Sequence, residues 1–170
     1  MARLVVFSGL PGTGKSTIAR ELARQIGAVW LRIDTIETAI AGLETDVADA
    51  GYRAAYALAA DNLRLGLDVV GDSVNAWMLT RDAWRDVGLA AGAEVLEVEV
   101  VCSDEAEHRR RVETRQVDVP GLTPPIWAEV VGRDYRPWTR ERLVVETAGR
   151  AVADCVAQVA AAVTRHGPIS

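Results

Sequence analysis

Apolar residues along this chain fall into short continuous runs, and between the runs they recur every three or four positions. Leu4 to Ser8 is one such run; it ends at Gly9 and reads as a buried strand. From Lys15 to Ile26 the apolar positions are Ile18, Leu22 and Ile26, and Gly27 follows as a natural stop, so the stretch reads as an amphipathic helix. A second strand, Val29 to Ile33, ends at Asp34, and Thr35 to Leu43 and Asp49 to Leu67 read as helices, the latter with Gly66 near its end. Asp68 to Gly71 opens a third strand. Thr80 is placed to cap a helix that carries Ala83, Trp84, Val87 and Ala90 on one face. Val95 to Cys102 is a fourth strand. Ser103 is placed to cap the next helix, with Asp104 and Glu105 in its first turn and arginines later, an order that suits the helix dipole. Thr123-Pro124 has the cap-then-proline order that opens a helix. Leu143 to Val145 is a short fifth strand, and Arg150 to Val163 is a closing helix with Val152, Val156, Val159 and Val163 in phase.

Strand and helix alternate almost throughout, which implies an α/β fold of parallel strands joined by right-handed helical crossovers. The 170 residues, read as 1–170, suit one domain, and no repeat, linker or low-complexity tract divides them. Gln116 to Pro125 is the least regular stretch, with three prolines, and is a candidate lid segment. The N-terminus is basic and then apolar, as a signal peptide begins, but the run is short and leads into a glycine loop. It therefore reads as a strand, and the expected compartment is the cytoplasm. No stretch is apolar for long enough to span a bilayer.

Net charge is −5, and the only basic block is Arg109-Arg110-Arg111. A protein that grips a nucleic-acid backbone usually carries a broad basic surface, so a polynucleotide partner is not expected. Cys102 and Cys155 are far apart, and with His108 and His166 they form no zinc-binding spacing, so both thiols are expected to be reduced. Of the nineteen basic residues all but Lys15 are arginine. Where arginine serves everywhere else, the lone lysine marks a place that needs a compact, rotatable ammonium.

Lys15 lies in Gly9-Leu10-Pro11-Gly12-Thr13-Gly14-Lys15-Ser16, which is G-x-x-x-x-G-K-[ST] without a mismatch, followed by Thr17. The motif follows a strand and opens a helix, the context its chemistry requires. Backbone N–H groups of a glycine-rich turn form an anion nest, and the helix N-terminus adds partial positive charge. Lys15 would reach the β- and γ-phosphates of ATP, and Ser16 would offer its hydroxyl to Mg²⁺. The third strand ends Gly71-Asp72-Ser73, with one carboxylate and not the acidic pair common in water-activating ATPases. With no second lysine, a guanine-reading Asn-Lys-x-Asp element cannot exist. A kinase instead needs a carboxylate to take the acceptor's proton and cations around the moving phosphoryl group. Asp34, at the strand edge where ligands of parallel sheets gather, suits the first role, although it could also cap the following helix with Glu37 completing a capping box. Arg111 and Arg115, four apart on one helix face, suit the second.

Gly9 to Thr17, Arg32-Ile33-Asp34, Val69 to Asn75 and the arginines of 109–115 together make the chain resemble the P-loop kinases that include polynucleotide kinase 5′-kinase domains, zeta toxins and chloramphenicol phosphotransferase. That resemblance implies a P-loop NTPase fold with strand order 2-3-1-4-5, helices on both faces and a helical lid near 104–122. It implies Asp34 as general base, Asp72 near the metal and γ-phosphate, Arg111 or Arg115 as the lid arginine, and Thr147-Ala148-Gly149 beside adenine. Arg109, in the same run, is expected on the nucleotide side. Polynucleotide kinases carry an arginine three residues after the base; here that position is Glu37, which would repel a phosphorylated acceptor.

The acceptor is expected to be a small molecule, with Glu37, Asn75 and Trp77 beside Asp34 as substrate contacts and Tyr52 and Tyr56 as further candidates. Trp30 and Trp84 read as core, while Trp77, Trp127, Trp138 and the Arg133-Asp134-Tyr135-Arg136 run lie on irregular segments. An oligonucleotide 5′-hydroxyl kinase and a nucleotide-dependent binding module that turns over little are the alternatives.

Overall fold

The computed structural model describes residues 1–41 and 49–165. In chain order the elements are β1 (Arg3–Ser8), α1 (Lys15–Ile26), β2 (Val29–Arg32), α2 (Ile33–Ile40), α3 (Ala50–Arg64), β3 (Val69–Asp72), α4 (Met78–Ala90), β4 (Glu94–Val101), α5 (Glu105–Thr114), α6 (Trp127–Val131), β5 (Leu143–Glu146) and α7 (Val152–Arg165). The five strands form one sheet in the order β2-β3-β1-β4-β5, every pair parallel. This is the P-loop NTPase arrangement.

Alternation along β1 splits the core into two layers. Val5 and Phe7 face α1 and α7, where they meet Ile18, Leu22, Val156 and Val159. Leu4 and Val6 face the other side, with Leu63, Ala59 and Trp84 from α3 and α4. Trp84 is fully buried, as expected, whereas Trp30 is half-buried and packs on the margin of the first layer. Beneath β4 the second layer has an ionic cover. Glu97 and Glu99 point there from alternate positions and are held by Arg140 and Arg142 of the coil before β5. Arg81 of α4, fully buried, is clamped to the same coil by the carbonyls of Arg136 and Pro137 and stacks on Trp138 at 4.2 Å.

Several expected boundaries move, each for a local reason. Thr123-Pro124 opens no helix; α6 starts at Trp127, where the Glu129 carboxylate accepts the Ile126 N–H at 3.1 Å. Pro125 follows Pro124, and a residue before proline is pushed to extended backbone, so Thr123 and Pro124 are both biased away from helix. Thr80 sits inside the first turn of α4, its hydroxyl donating back to the Trp77 carbonyl at 3.0 Å. Asp104, not Ser103, caps α5 by accepting the Glu107 N–H at 2.9 Å. Asp34 lies within the first turn of α2, and Arg32 occupies the cap position with no side-chain capping bond, so the capping box with Glu37 is not formed. Leu43, the expected end of that helix, lies outside the described residues. Gly66, at φ 83°, follows the end of α3 and does not interrupt it. Asp68 precedes β3, which starts at Val69, and pairs with Arg3. Among the described residues no helix is long and apolar enough to cross a membrane.

Candidate nucleotide and acceptor site

β1 delivers the chain into the 9–14 turn, and three glycines there take left-handed backbone: Gly9 (φ 142°), Gly12 (φ 84°) and Gly14 (φ 92°). A Cβ at Gly9 would lie 2.4 Å from the Val100 carbonyl oxygen, and one at Gly12 would lie 2.4 Å from Cγ2 of Val112 in α5. Thr13 closes the turn by donating its hydroxyl to the Leu10 carbonyl at 3.0 Å. Gly14 caps α1, so the turn runs straight into a helix N-terminus.

Lys15 follows, buried, with Nζ 3.1 Å from Oδ1 of Asp72 and 3.4 Å from the Ser16 hydroxyl. Ser16 donates to the same carboxylate oxygen at 3.2 Å. Asp72 is 1% exposed, and its second oxygen, Oδ2, has no hydrogen-bond partner. An orphaned buried carboxylate oxygen next to a serine hydroxyl is a donor set suited to a hard divalent cation, so Ser16 and Asp72 fit Mg²⁺.

The turn opens into a cavity of about 770 Å³ at the C-terminal edge of the sheet, lined by Pro11, Gly12, Gly14, Lys15, Ser16 and Thr17. α5 lies directly over the turn. His108 donates from Nε2 to the Pro11 carbonyl at 2.8 Å, and its ring meets Trp127 edge-on at 5.1 Å. Arg111 lines the cavity above Gly14, donating to the hydroxyl and carbonyl of Thr147 at 2.9 and 3.0 Å and to Glu107 at 2.5 Å. Arg115, which closes α5, also lines the cavity and makes no hydrogen bond or ion pair among the described residues. Thr147 lines the same wall, while Gly149 lies behind it, its N–H donating to Glu107.

Asp34 and Glu37 line the opposite end from the first turns of α2. Glu37 runs along α3 through space left by Gly51, where a Cβ would sit 2.3 Å from Glu37 Cγ. Burial, and then the charge of Asp34, push the Glu37 carboxyl above the usual carboxylate range against a smaller opposing effect of Arg133.

Besides Gly149, three expected site residues sit elsewhere. Arg109 is exposed on the far side of α5, paired with Glu113 at 2.8 Å. Asn75 is fully buried at φ 47°, donating to the Phe7 carbonyl at 3.0 Å while its own carbonyl accepts Arg81. Trp77 is half-exposed and reaches Asp134, off the cavity wall. Tyr52 and Tyr56 serve the core, Tyr56 meeting Trp84 edge-on at 5.0 Å. The cavity takes in Arg133, from the run after α6, and Arg32, to which the pattern reading assigned no role, together with residues it passed over: Arg20, Asp118, Glu129 and Arg150. For Arg32 there is a signal in the sequence, an arginine ending an otherwise apolar strand two residues before Asp34.

The family model described as AAA domain matches residues 4–121. No curated protein matches the chain. Among solved structures it is similar to a sugar kinase from Janibacter (15% identity, 96% of this chain and 95% of that one, TM-score 0.71). It is similar to the Mycobacterium tuberculosis APS kinase in complex with AMPPNP and APS (18%, 96% and 98%, TM-score 0.69). A gluconokinase from Sinorhizobium meliloti also shares the fold (18%, 96% and 92%, TM-score 0.64).

Proposed function

The chain belongs to the AAA domain family, and from that membership and the geometry above we propose that it is an ATP-dependent phosphotransferase acting on a hydroxyl of a small molecule. The observation that carries the reading is one cavity with a phosphate-binding turn at one end and an uncapped helix-start aspartate, Asp34, at the other. The fold neighbours that bear the names APS kinase, gluconokinase and sugar kinase support it, and the motifs Gly9 to Thr17 and Arg32-Ile33-Asp34, by which the sequence resembles polynucleotide kinases, zeta toxins and chloramphenicol phosphotransferase, agree with it.

The residues divide the work as follows. The 9–14 turn and the start of α1 hold the ATP phosphates, and Lys15 leaves Asp72 to reach them. Ser16 and Asp72 hold Mg²⁺, which when bound neutralises phosphate charge. Arg111 and Thr147 bound the nucleotide end. Arg115, the uncommitted guanidinium, meets the charge that develops on the phosphoryl group. Asp34 takes the proton of the acceptor hydroxyl as its oxygen bonds to the γ-phosphorus and the bond to the β–γ bridging oxygen breaks, releasing ADP. The acceptor end brings together Asp34, Glu37, Asp118 and Glu129 against Arg20, Arg32 and Arg133. That excess of carboxylates disfavours a phosphate-bearing polymer and favours a small neutral or cationic hydroxyl compound.

The test is ADP release from Mg-ATP at low salt against pools of nucleosides, sugars, aminoglycosides and a 5′-hydroxyl oligonucleotide. One pool is expected to respond, and Asp34→Asn and Lys15→Ala are both expected to abolish the response, with ATP binding kept in Asp34→Asn. A response from the oligonucleotide alone would replace the small-molecule reading with the polynucleotide one. ATP binding with no acceptor-dependent ADP from any pool, and indifference to Asp34→Asn, would favour a nucleotide-dependent binding module.

A further inference from the structure

Arg32 ends β2 with its side chain buried at 7% exposure beside the acceptor end of the cavity. Its Nη1 lies 2.9 Å from each carboxylate oxygen of Asp118, and its Nη2 lies 4.0 Å from Oδ2 of Asp34. The Trp30 ring backs the guanidinium at 5.8 Å. Asp118 comes from 86 residues further along, in the coil between α5 and α6, and is 53% exposed. Burial pushes the Asp118 carboxyl up, but the hydrogen bonds and charge of Arg32 outweigh this and hold it below the usual carboxylate range.

The coil that carries Asp118 forms one wall of the cavity, with Gln116, Leu122, Thr123, Pro124 and Pro125 facing in. It passes close over α2, where a Cβ at Gly121 would lie 3.3 Å from the Thr38 methyl. Among the described residues the bond to Arg32 is the only ion pair made by residues 115–125. The other anchor is apolar, the buried side chain of Val119. A single guanidinium rooted in the sheet therefore touches both the aspartate at the acceptor end and the carboxylate that ties down the wall above it. Both bonds to Asp118 leave from Nη1, while the buried Nε of Arg32 has no hydrogen-bond partner among the described residues, so a single nitrogen of a buried cation ties the segment down.

We propose that Arg32 is a positioning residue: with Asp118 docked on it, the 115–126 segment closes over the acceptor end and keeps water from the phosphoryl group while Asp34 is held toward the cavity. The inference rests on the phosphotransferase reading. When Asp118 lets go, water enters; its oxygen bonds to the γ-phosphorus, the bond to the β–γ bridging oxygen breaks, Asp34 takes the proton, and ADP and inorganic phosphate leave.

The experiment compares wild type with Asp118→Asn and Asp118→Glu. Asp118 is half-exposed, so these variants keep the core intact. Trypsin cleavage after Arg115 in the Mg-AMPPNP complex, read by the mass of the 116–170 fragment, reports docking of the segment. Phosphate release from Mg-ATP with no acceptor present reports entry of water. Asp118→Asn is expected to raise both rates about fivefold, the upper end for losing an ion pair whose carboxylate is half-exposed, with ATP affinity unchanged. Asp118→Glu is expected to restore both, and adding Asp34→Asn to Asp118→Asn to abolish the extra phosphate release. Wild-type cleavage and wild-type phosphate release in Asp118→Asn would overturn the proposal, because Val119 and packing would then hold the segment alone. Extra phosphate release that survives Asp34→Asn would overturn the placement of Asp34. The trypsin arm needs no turnover, so a protein that takes no hydroxyl acceptor fails the phosphotransferase reading while cleavage still decides the docking.

Discussion

Packing of α5 on the phosphate turn can be tested at Gly12, because two separate penalties meet there and can be pulled apart. Gly12 has φ 84°, and a Cβ on it would lie 2.4 Å from Val112 Cγ2 and 3.3 Å from the His108 ring. Left-handed backbone costs an L-residue about 1–2 kcal/mol. Forcing a methyl into a packed contact adds roughly 1–3 kcal/mol. Gly12→Ala should therefore lose about 3 kcal/mol, which for a chain of this size lowers Tm by roughly 6–12 °C. Gly14→Ala separates the two parts. Its φ is 92°, but its Cβ would meet nothing closer than 3.9 Å, so only the backbone cost of about 1–2 kcal/mol applies. Val112→Ala alone, at a 4% exposed site, should cost roughly 2 kcal/mol in lost packing. In the double variant the new methyl enters the space the valine leaves, so the combined loss should fall short of the sum by about 1–2 kcal/mol. The assay is thermal or urea unfolding of wild type and the four variants without nucleotide, with ATP titration of each. If the losses of Gly12→Ala and Val112→Ala add to within about 0.5 kcal/mol, the two sites do not touch, and α5 does not rest on the turn.

Asp72→Asn removes the partner of Lys15, whose side chain is only 8% exposed, and should cost about 3 kcal/mol of stability without ligand and weaken the Mg²⁺ dependence of nucleotide binding. Urea midpoints and Mg²⁺ titrations check both; wild-type values for both would remove Asp72 from the metal site. Glu37→Gln gives a pH signature. The carboxyl is raised in the folded state, so the folded protein binds more protons than the unfolded one just above the ordinary glutamate value. The glutamate's contribution to stability therefore falls as pH rises through that window and is absent in the glutamine variant. Tm curves of the two proteins should meet near pH 4 and separate toward neutral pH with the variant higher; parallel curves would refute the burial argument.

The parts of this protein legible in its sequence are those whose chemistry is local. The phosphate turn declares itself because one strand end, three glycines and one lysine stand in a single stretch, and each glycine's left-handed backbone is required there. The strand order followed from likeness to a known group, and alternation of apolar residues along β1 is enough to give the sheet two covered faces. Helix starts were less legible, since a capping residue competes with its neighbours for the same N–H: Asp104 takes the role over the adjacent Ser103 because its carboxylate reaches the Glu107 N–H. The acceptor end was least legible. Asn75 has the composition of a substrate contact, yet a left-handed backbone and a bond to the Phe7 carbonyl commit it to holding β1 against the chain after β3. Arg32 stands out as the arginine that ends an apolar strand, but its partner Asp118 looks like an ordinary surface charge until the fold closes 86 residues of chain and makes them one pair. What an acceptor would meet is thus assembled from α2, the coil before α6 and α6 itself. No local pattern records which charges those elements leave open after satisfying one another. Arg32 gives Nη1 to Asp118 and keeps a buried Nε without a partner among the described residues, Glu129 accepts the Ile126 N–H, and Glu37 has only the distant opposing charge of Arg133. The charges left open toward a substrate are therefore the Glu37 carboxylate, one turn of helix from Asp34, and the Arg133 guanidinium that lines the same cavity.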